Sequence, residues 1–354
     1  MDDNDGMAHA RISPALFLLC ACLAACQAAP RVPGPIDTPT VPAASMTPTV
    51  APTGSPTATP AEAGWCSPAG QRPQNFLIVG YLPDYREIDG YWGNCLTDLV
   101  LFSAEALPDG GLDTRRLDEY TLQTMRWMKA RYGTRIHVSV GGWGRSEGFA
   151  PMVTDPDRLA AFVDHLAEYA RQNDLDGVDL DWEFPQEGAE LDGYLALIEA
   201  LKARGLIVSV ALVPTAEAHL AAYAAADRIH LMSYDRGPQH ATYEQAVLDL
   251  ATAAASGLPR SRLILGIPVY GRETEYPYIY HPYNEIVAQF RPLPEDDLAG
   301  GIFFNGVRTT QDKACYAFDN SFGGVMLWEL GQDSPGDPSL MQAVYQAIAN
   351  QCKP

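Results

Sequence analysis

The stretch Asp176-Gly177-Val178-Asp179-Leu180-Asp181-Trp182-Glu183 decides how the rest of this chain is read. Its period is two, the mark of a strand whose successive side chains point to opposite faces. Val178, Leu180 and Trp182 then share one face, and Asp179, Asp181 and Glu183 share the other. Adjacent carboxylates repel, and burying one is costly unless it is paired or protonated. A solvated edge strand could turn three acids to water. Here Phe184-Pro185 follows, and the neighbouring segments read as buried strands. The stack is therefore read as a device that lets one carboxyl act as an acid near neutral pH.

Working outward, apolar runs of strand length cover 76–82, 96–103, 135–140, 206–213, 228–234, 262–270 and 325–330. Helical spacing falls between most of them, at 117–132, 193–203, 243–255, 309–318 and 339–349. A further helix opens at Asp155-Pro156, a cap followed by a first-turn proline, and Asp337-Pro338 caps the last one. Near-continuous hydrophobic strands are what a helix-covered sheet requires. With the acidic segment there are eight β/α units, so the expected class is α/β and the expected architecture a (β/α)8 TIM barrel. A doubly wound sheet would want a glycine-rich phosphate loop after strand one, and there is none. Barrel active sites lie at the carboxyl ends of the strands, where Ser139, Glu183, Tyr234 and Trp328 fall. A short insertion, 271–323, separates strands seven and eight. It is expected to be an irregular flap bearing Tyr276, Tyr278, Tyr280 and Tyr283, plus one helix.

The chain has 354 residues and a formal net charge of -20. It has no basic tract, which speaks against a nucleic-acid partner. Residues 12–25 are apolar and follow Arg11, as in an export signal too short to span a bilayer stably. The acidic residues before Met7 suggest that translation starts there. Leu23-Ala24-Ala25-Cys26 resembles a bacterial lipoprotein signal, which makes 1–27 a leader and Cys26 the acylated residue. The expected location is therefore the cell surface, with a lipid anchor as the sole membrane contact. Residues 28–64 are rich in Pro, Thr, Ala and Ser and read as an extended linker. The folded domain is 65–354, expected to act as a monomer. Cys66, Cys95, Cys315 and Cys352 lie in it, and an oxidising compartment permits disulfides. Four cysteines allow three pairings; Cys66–Cys95 with Cys315–Cys352 would pin each end of the domain to a nearby loop. No histidine lies at ligand spacing from them, so no metal or cofactor is expected.

The acidic strand resembles the DxxDxDxE signature of glycoside hydrolase family 18, the chitinase family, at Asp176, Asp179, Asp181 and Glu183. Ser139-Val140-Gly141-Gly142 resembles the family's SxGG motif, and Met232-Ser233-Tyr234-Asp235 its strand-six motif. Gly266-Ile267-Pro268-Val269-Tyr270-Gly271-Arg272 looks like its strand-seven motif, and Trp328 sits where the family places a strand-eight tryptophan. The resemblance spans about 75–349. The short 271–323 segment leaves little room for the α+β insertion that walls a deep cleft in many processive members, which favours a more open groove.

The resemblance implies a retaining, endo-acting hydrolase of β-1,4-linked N-acetylglucosamine polymers. Glu183 would be the general acid, its proton favoured by the like charge of Asp181. Asp179, one step deeper, could share a proton with Asp181, so the three would titrate as a set. This family is the substrate-assisted exception to the two-carboxylate scheme. Asp181 would orient the acetamide and stabilise an oxazolinium ring, and Tyr234 would donate to the acetamide oxygen. Trp328 would floor the sugar, with Asp235, Met232, Tyr81 and Trp143 lining the groove. Ser139 would bond the Asp179 pair and Asp176 would bond backbone amides. An endo-β-N-acetylglucosaminidase on the chitobiose core of N-glycans, a peptidoglycan-type enzyme and a non-catalytic surface lectin are the competing readings. The intact Glu183 speaks against the lectin.

Overall fold

The computed structural model describes Cys66, residues 75–215 and residues 219–353. The expected leader, linker and Cys26 lie outside the described residues. The chain begins with β1 (Leu77–Pro83), β2 (Asp98–Ala106), a two-residue β3 (Leu112–Asp113), α1 (Glu119–Tyr132) and β4 (Arg135–Gly141). Then come α2 (Phe149–Val153), α3 (Pro156–Gln172), β5 (Gly177–Asp181), α4 (Ala189–Ala203), β6 (Ile207–Leu212), β7 (Arg228–Leu231), α5 (Tyr243–Ala255) and β8 (Leu263–Pro268). The expected strand boundaries move by a few residues. The change that bears on the acidic segment is that β5 ends at Asp181 and Glu183 lies just beyond it.

β1, β2, β4, β5, β6, β7, β8 and a last strand, β13 (Gly324–Trp328), form a parallel ring, closed because β1 pairs with β2 on one side and β13 on the other. This is the expected (β/α)8 barrel. Both faces of β5 are buried. Val178, Leu180 and Trp182 belong to the large outer core between strands and helices, which also holds Phe149, Phe162 and Tyr194. A small inner core of Val79, Val100, Ile264 and Met326 lies beneath Tyr81, Phe102 and Tyr234. The alternation thus separates helix-facing apolar residues from barrel-facing acids, as the period of two requires.

Side-chain caps open several of the helices. Asp118 accepts from Thr121 N, Thr242 from Gln245 N, and Asp155 from Asp157 N and Arg158 N ahead of Pro156. At the amino-terminal end of the barrel, fully buried Asp98 accepts from Arg135 Nε at 2.8 Å, Arg228 Nη1 at 2.7 Å and His137 Nε2 at 2.9 Å. Burial works against its charged form, yet these partners hold its carboxyl well below the usual range.

The segment 271–323 departs from expectation. β9 (Tyr270–Glu273), β10 (Tyr280–Pro282), β11 (Leu298–Ala299) and β12 (Ile302–Phe303) form an antiparallel sheet, with α6 (Tyr283–Phe290) and α7 (Val307–Asp319) beside it. The expected flap is therefore a reduced α+β unit. Strands of two to four residues are too short to display a period in sequence. β13 (Gly324–Trp328) and α8 (Leu340–Ala349) complete the chain. The disulfides are Cys66–Cys95 and Cys315–Cys352, the expected pairing.

Candidate active site

A cavity of about 330 Å³ opens at the carboxyl ends of the barrel strands. Tyr81, Trp143, Asp181, Glu183, Met232, Tyr234, Asp235 and Trp328 all line it, so the expected substrate-facing residues are brought together. Asp179, Ser139 and Asp176 lie outside its lining and act from beneath. Tyr85, Phe102, Arg145, Ala211 and Met326 also line it and were not foreseen. Their motifs carry no charge pattern, and only closure of the barrel brings them to one wall.

Register builds the lowest tier. Ser139 on β4, Asp179 on β5 and Ser209 on β6 pair side by side. Ser139 Oγ donates to Asp179 Oδ2 at 2.9 Å, as expected, and Ser209 Oγ donates to Oδ1 at 2.6 Å. His230 Nδ1 lies 3.4 Å from the same Oδ1. Burial pushes the Asp179 carboxyl up, but these partners outweigh it and hold it below its ordinary value. His230 was missed, although it shares the period of two with Met232 and Tyr234. Asp176 behaves as expected: its Oδ2 accepts the Ile136 amide at 2.9 Å, and Lys129 approaches Oδ1 at 3.1 Å.

One step up, Asp181 is buried and its Oδ1 has no hydrogen-bond partner. Burial, then the charges of Glu183 and Asp179, push its carboxyl well up. Glu183 is also pushed up, by burial first and then by Asp235, and the Trp143 backbone amide offsets part of this. The two acids disfavour each other's charge, and Asp181 is the deeper and more desolvated of the pair. Asp179 differs from both, since its partners favour its charged form. The carboxyls pushed up are therefore those of the Asp181–Glu183 level of the stack.

The turn after β4 locks this strand end in place. The Gly142 amide donates to the Asp181 carbonyl at 2.6 Å, and Ser146 Oγ accepts from the Glu183 amide at 3.2 Å. Gly141 and Gly142 have φ of 100° and 103°, and a Cβ on Gly142 would sit 2.2 Å from Phe102 Cζ. Gly266 on β8 likewise leaves room for the Tyr234 ring, whose Cε1 lies 2.9 Å from where a Cβ would be.

Trp328 ends β13. Phe102 and Tyr81 meet its ring edge-on, with centroids 4.8 Å and 5.6 Å away, which fixes the plane of the floor. Trp143 stands 81% exposed at the rim. Burial, then the Asp181 and Asp235 charges, push the Tyr234 phenol well up, so it keeps its O–H as a donor. Asp235 accepts from Tyr270 Oη at 2.8 Å and Arg272 Nη1 at 3.0 Å. Arg145 lies over the Phe102 ring and is clamped by Asp84 at 2.5 Å. The arrangement offers a carboxyl pushed up at the rim, a buried carboxyl behind it, a phenol donor and an aromatic floor. Among the described residues no group of His, Cys, Asp and Glu is arranged to hold a metal ion.

Residues 96–333 match the family described as glycosyl hydrolases family 18. The chain is 22% identical over 285 residues to chitinase 1 of Aphanocladium album, covering 63% of this chain and 67% of that protein. It is 24% identical over 278 residues to endochitinase 1 of Metarhizium robertsii, covering 60% and 65%. The chain thus spans about two thirds of the length of each of these relatives. A family 18 chitinase structure from Flavobacterium johnsoniae superposes with a TM-score of 0.67 at 25% identity, over 77% of this chain and 94% of that one.

Proposed function

Because this chain belongs to the glycosyl hydrolases of family 18, we propose that it is a retaining, endo-acting hydrolase of β-1,4-linked N-acetylglucosamine polymers, chitin or its oligosaccharides. The observation that carries the reading is the Asp181–Glu183 pair facing a cavity whose other walls are a phenol donor and a fixed tryptophan.

Glu183 donates its proton to the glycosidic oxygen. Of the carboxylates around it, Asp235 is engaged by Tyr270 and Arg272, Asp84 by Arg145, and Glu329 by Arg86 at 2.9 Å. A side-chain nucleophile is therefore poorly supplied, which favours attack by the substrate's own acetamido oxygen. Asp181, with its unpartnered Oδ1, takes the acetamide N–H and balances charge on the resulting oxazolinium ring. Tyr234 donates to the acetamide oxygen while that charge develops. Water then opens the ring with Glu183 as base, and the β configuration is kept.

An endo mode is supported by a second depression of about 430 Å³, bordered by Tyr85, Arg86, Trp92, Asn284 and Leu330. Tyr85 borders both depressions, so the groove extends beyond one sugar. The relatives named chitinase supply the choice of polymer. Product analysis on chitin oligomers beside a high-mannose glycoprotein tests the substrate. Release of the glycan with intact oligomers would move the reading to the chitobiose core. NMR of the first product should show the β anomer, and an α anomer would end the substrate-assisted scheme.

The enzyme is exported and held on a bacterial membrane by acylated Cys26, with residues 28–64 as the spacer. Leu23-Ala24-Ala25-Cys26 supports this. Mass spectrometry of the mature amino terminus checks it, and a free amine on any other residue would refute it.

A further inference from the structure

His230 is a buried titratable group that the reaction scheme leaves unused. It stands on β7, in register with Ala211 of β6 and Ile264 of β8, so its immediate strand neighbours are apolar. Only 1% of it is exposed. Its Nδ1 lies 2.5 Å from Tyr81 Oη and 3.4 Å from Asp179 Oδ1, and its Nε2 is buried without a partner. Buried polar groups are normally satisfied. A ring with one idle nitrogen in a barrel interior therefore calls for a reason in the contacts of the other.

Both contacts converge on Nδ1. Placing the hydrogen there lets it donate toward Tyr81 Oη and Asp179 Oδ1, and leaves Nε2 a lone pair rather than a stranded N–H. The Tyr81 hydroxyl in turn hydrogen-bonds Asp179. The groups facing the Asp179 carboxyl are thus Tyr81 from β1, Ser139 from β4, Ser209 from β6, His230 from β7, and Asp181 on its own strand. The first four donate hydrogen bonds and favour an ionised carboxylate, whereas the like charge of Asp181 opposes it.

We infer that His230 is a positioning residue for this reaction: directly and through Tyr81, it fixes Asp179 as the ionised base of the stack, so that the working proton stays on Asp181 and Glu183. The inference rests on the hydrolase reading above. Without His230, Asp179 competes for that proton, and a larger share of the protein enters the reaction with it at the wrong level.

The test compares full-length wild type, His230→Leu and His230→Asn in kcat and KM on a soluble chito-oligosaccharide across pH, together with carbon-detected NMR titration of Asp179. For His230→Leu, kcat should fall about tenfold with KM little changed. The acid limb should move up by about one pH unit, the loss of one hydrogen bond to a charged group. The alkaline limb should stay. His230→Asn keeps an N–H donor and should restore part of the shift, and it carries the test if the leucine variant does not fold. An unmoved acid limb and an unchanged Asp179 titration would overturn the inference, even if kcat and melting temperature both fell, since that pattern is a packing role. A wild type inactive on the oligosaccharide, with the Asp179 titration still shifted in the variant, would fault the hydrolase reading and leave the positioning of Asp179 standing.

Discussion

The Gly142 amide donates to the Asp181 carbonyl at 2.6 Å, joining the turn after β4 to the end of the acid strand. That bond needs a backbone with φ near 103°, pressed against the Phe102 ring. The position of the catalytic carboxyls therefore depends on a residue that carries no chemistry.

Gly142→Ala should damage the site through geometry alone. Its Cβ would meet Phe102 Cζ at 2.2 Å in a left-handed conformation that alanine disfavours. Activity should fall more than stability does, because Phe102 also braces Trp328. Parallel kinetics and thermal melts check this, and an active variant with a normal KM would contradict it.

Glu183→Gln keeps the shape and removes the transferable proton. The rate should fall by at least ~10²-fold, the lower range for losing a general acid. Oligosaccharide binding, measured by calorimetry, should survive on Trp328 and Asp181. Asp181→Asn should also cost rate by removing the charge that balances the oxazolinium ion. The double variant should lose less than the product of the two single losses, since both groups serve one transition state.

Asp98→Asn should destabilise the barrel by about 3–5 kcal/mol, because the nearly buried Arg228 would lose its charged partner. The folded-state carboxyl is held well below the usual range. Its contribution is therefore present above the unfolded value of about 3.9 and is lost as pH falls through the folded one. Urea unfolding of wild type and variant over acidic pH should show the gap between them closing.

Lys313 on α7 is fully buried, donating to the Ala241 carbonyl at 2.8 Å and Asn305 Oδ1 at 2.7 Å. Burial pushes its ammonium down to about 7. Between that value and the unfolded value of about 10.4, the unfolded chain binds the extra proton, so stability rises with pH. Lys313→Met should lack this rise. The stability difference between the two proteins should change by up to about 1.4 kcal/mol per pH unit in that window, and equal slopes would contradict it.

Local periodicity was enough to read the strands of the barrel and the cap at Asp155, because a period of two and a side-chain cap are properties of neighbouring residues; the last helix is capped by Ser339, which accepts from Gln342 N, and not by the expected Asp337. The same local pattern placed Asp179 and Asp181 inward and Val178 and Leu180 outward, and the motif spacing pointed to Tyr234 and Trp328. What the acids do to one another was decided only by tertiary structure. Ser209, His230 and Tyr81 reach Asp179 because strands far apart in sequence close into a ring. Their donors make Asp179 the ionised member and leave Asp181, which has no such partners, as the carboxyl pushed furthest up. The small sheet of β9–β12 was hidden for a related reason, since its pairings are too short to mark the chain. Sequence fixes which side of a strand a group faces, whereas a carboxyl's proton follows desolvation and partners that exist only once the barrel has closed.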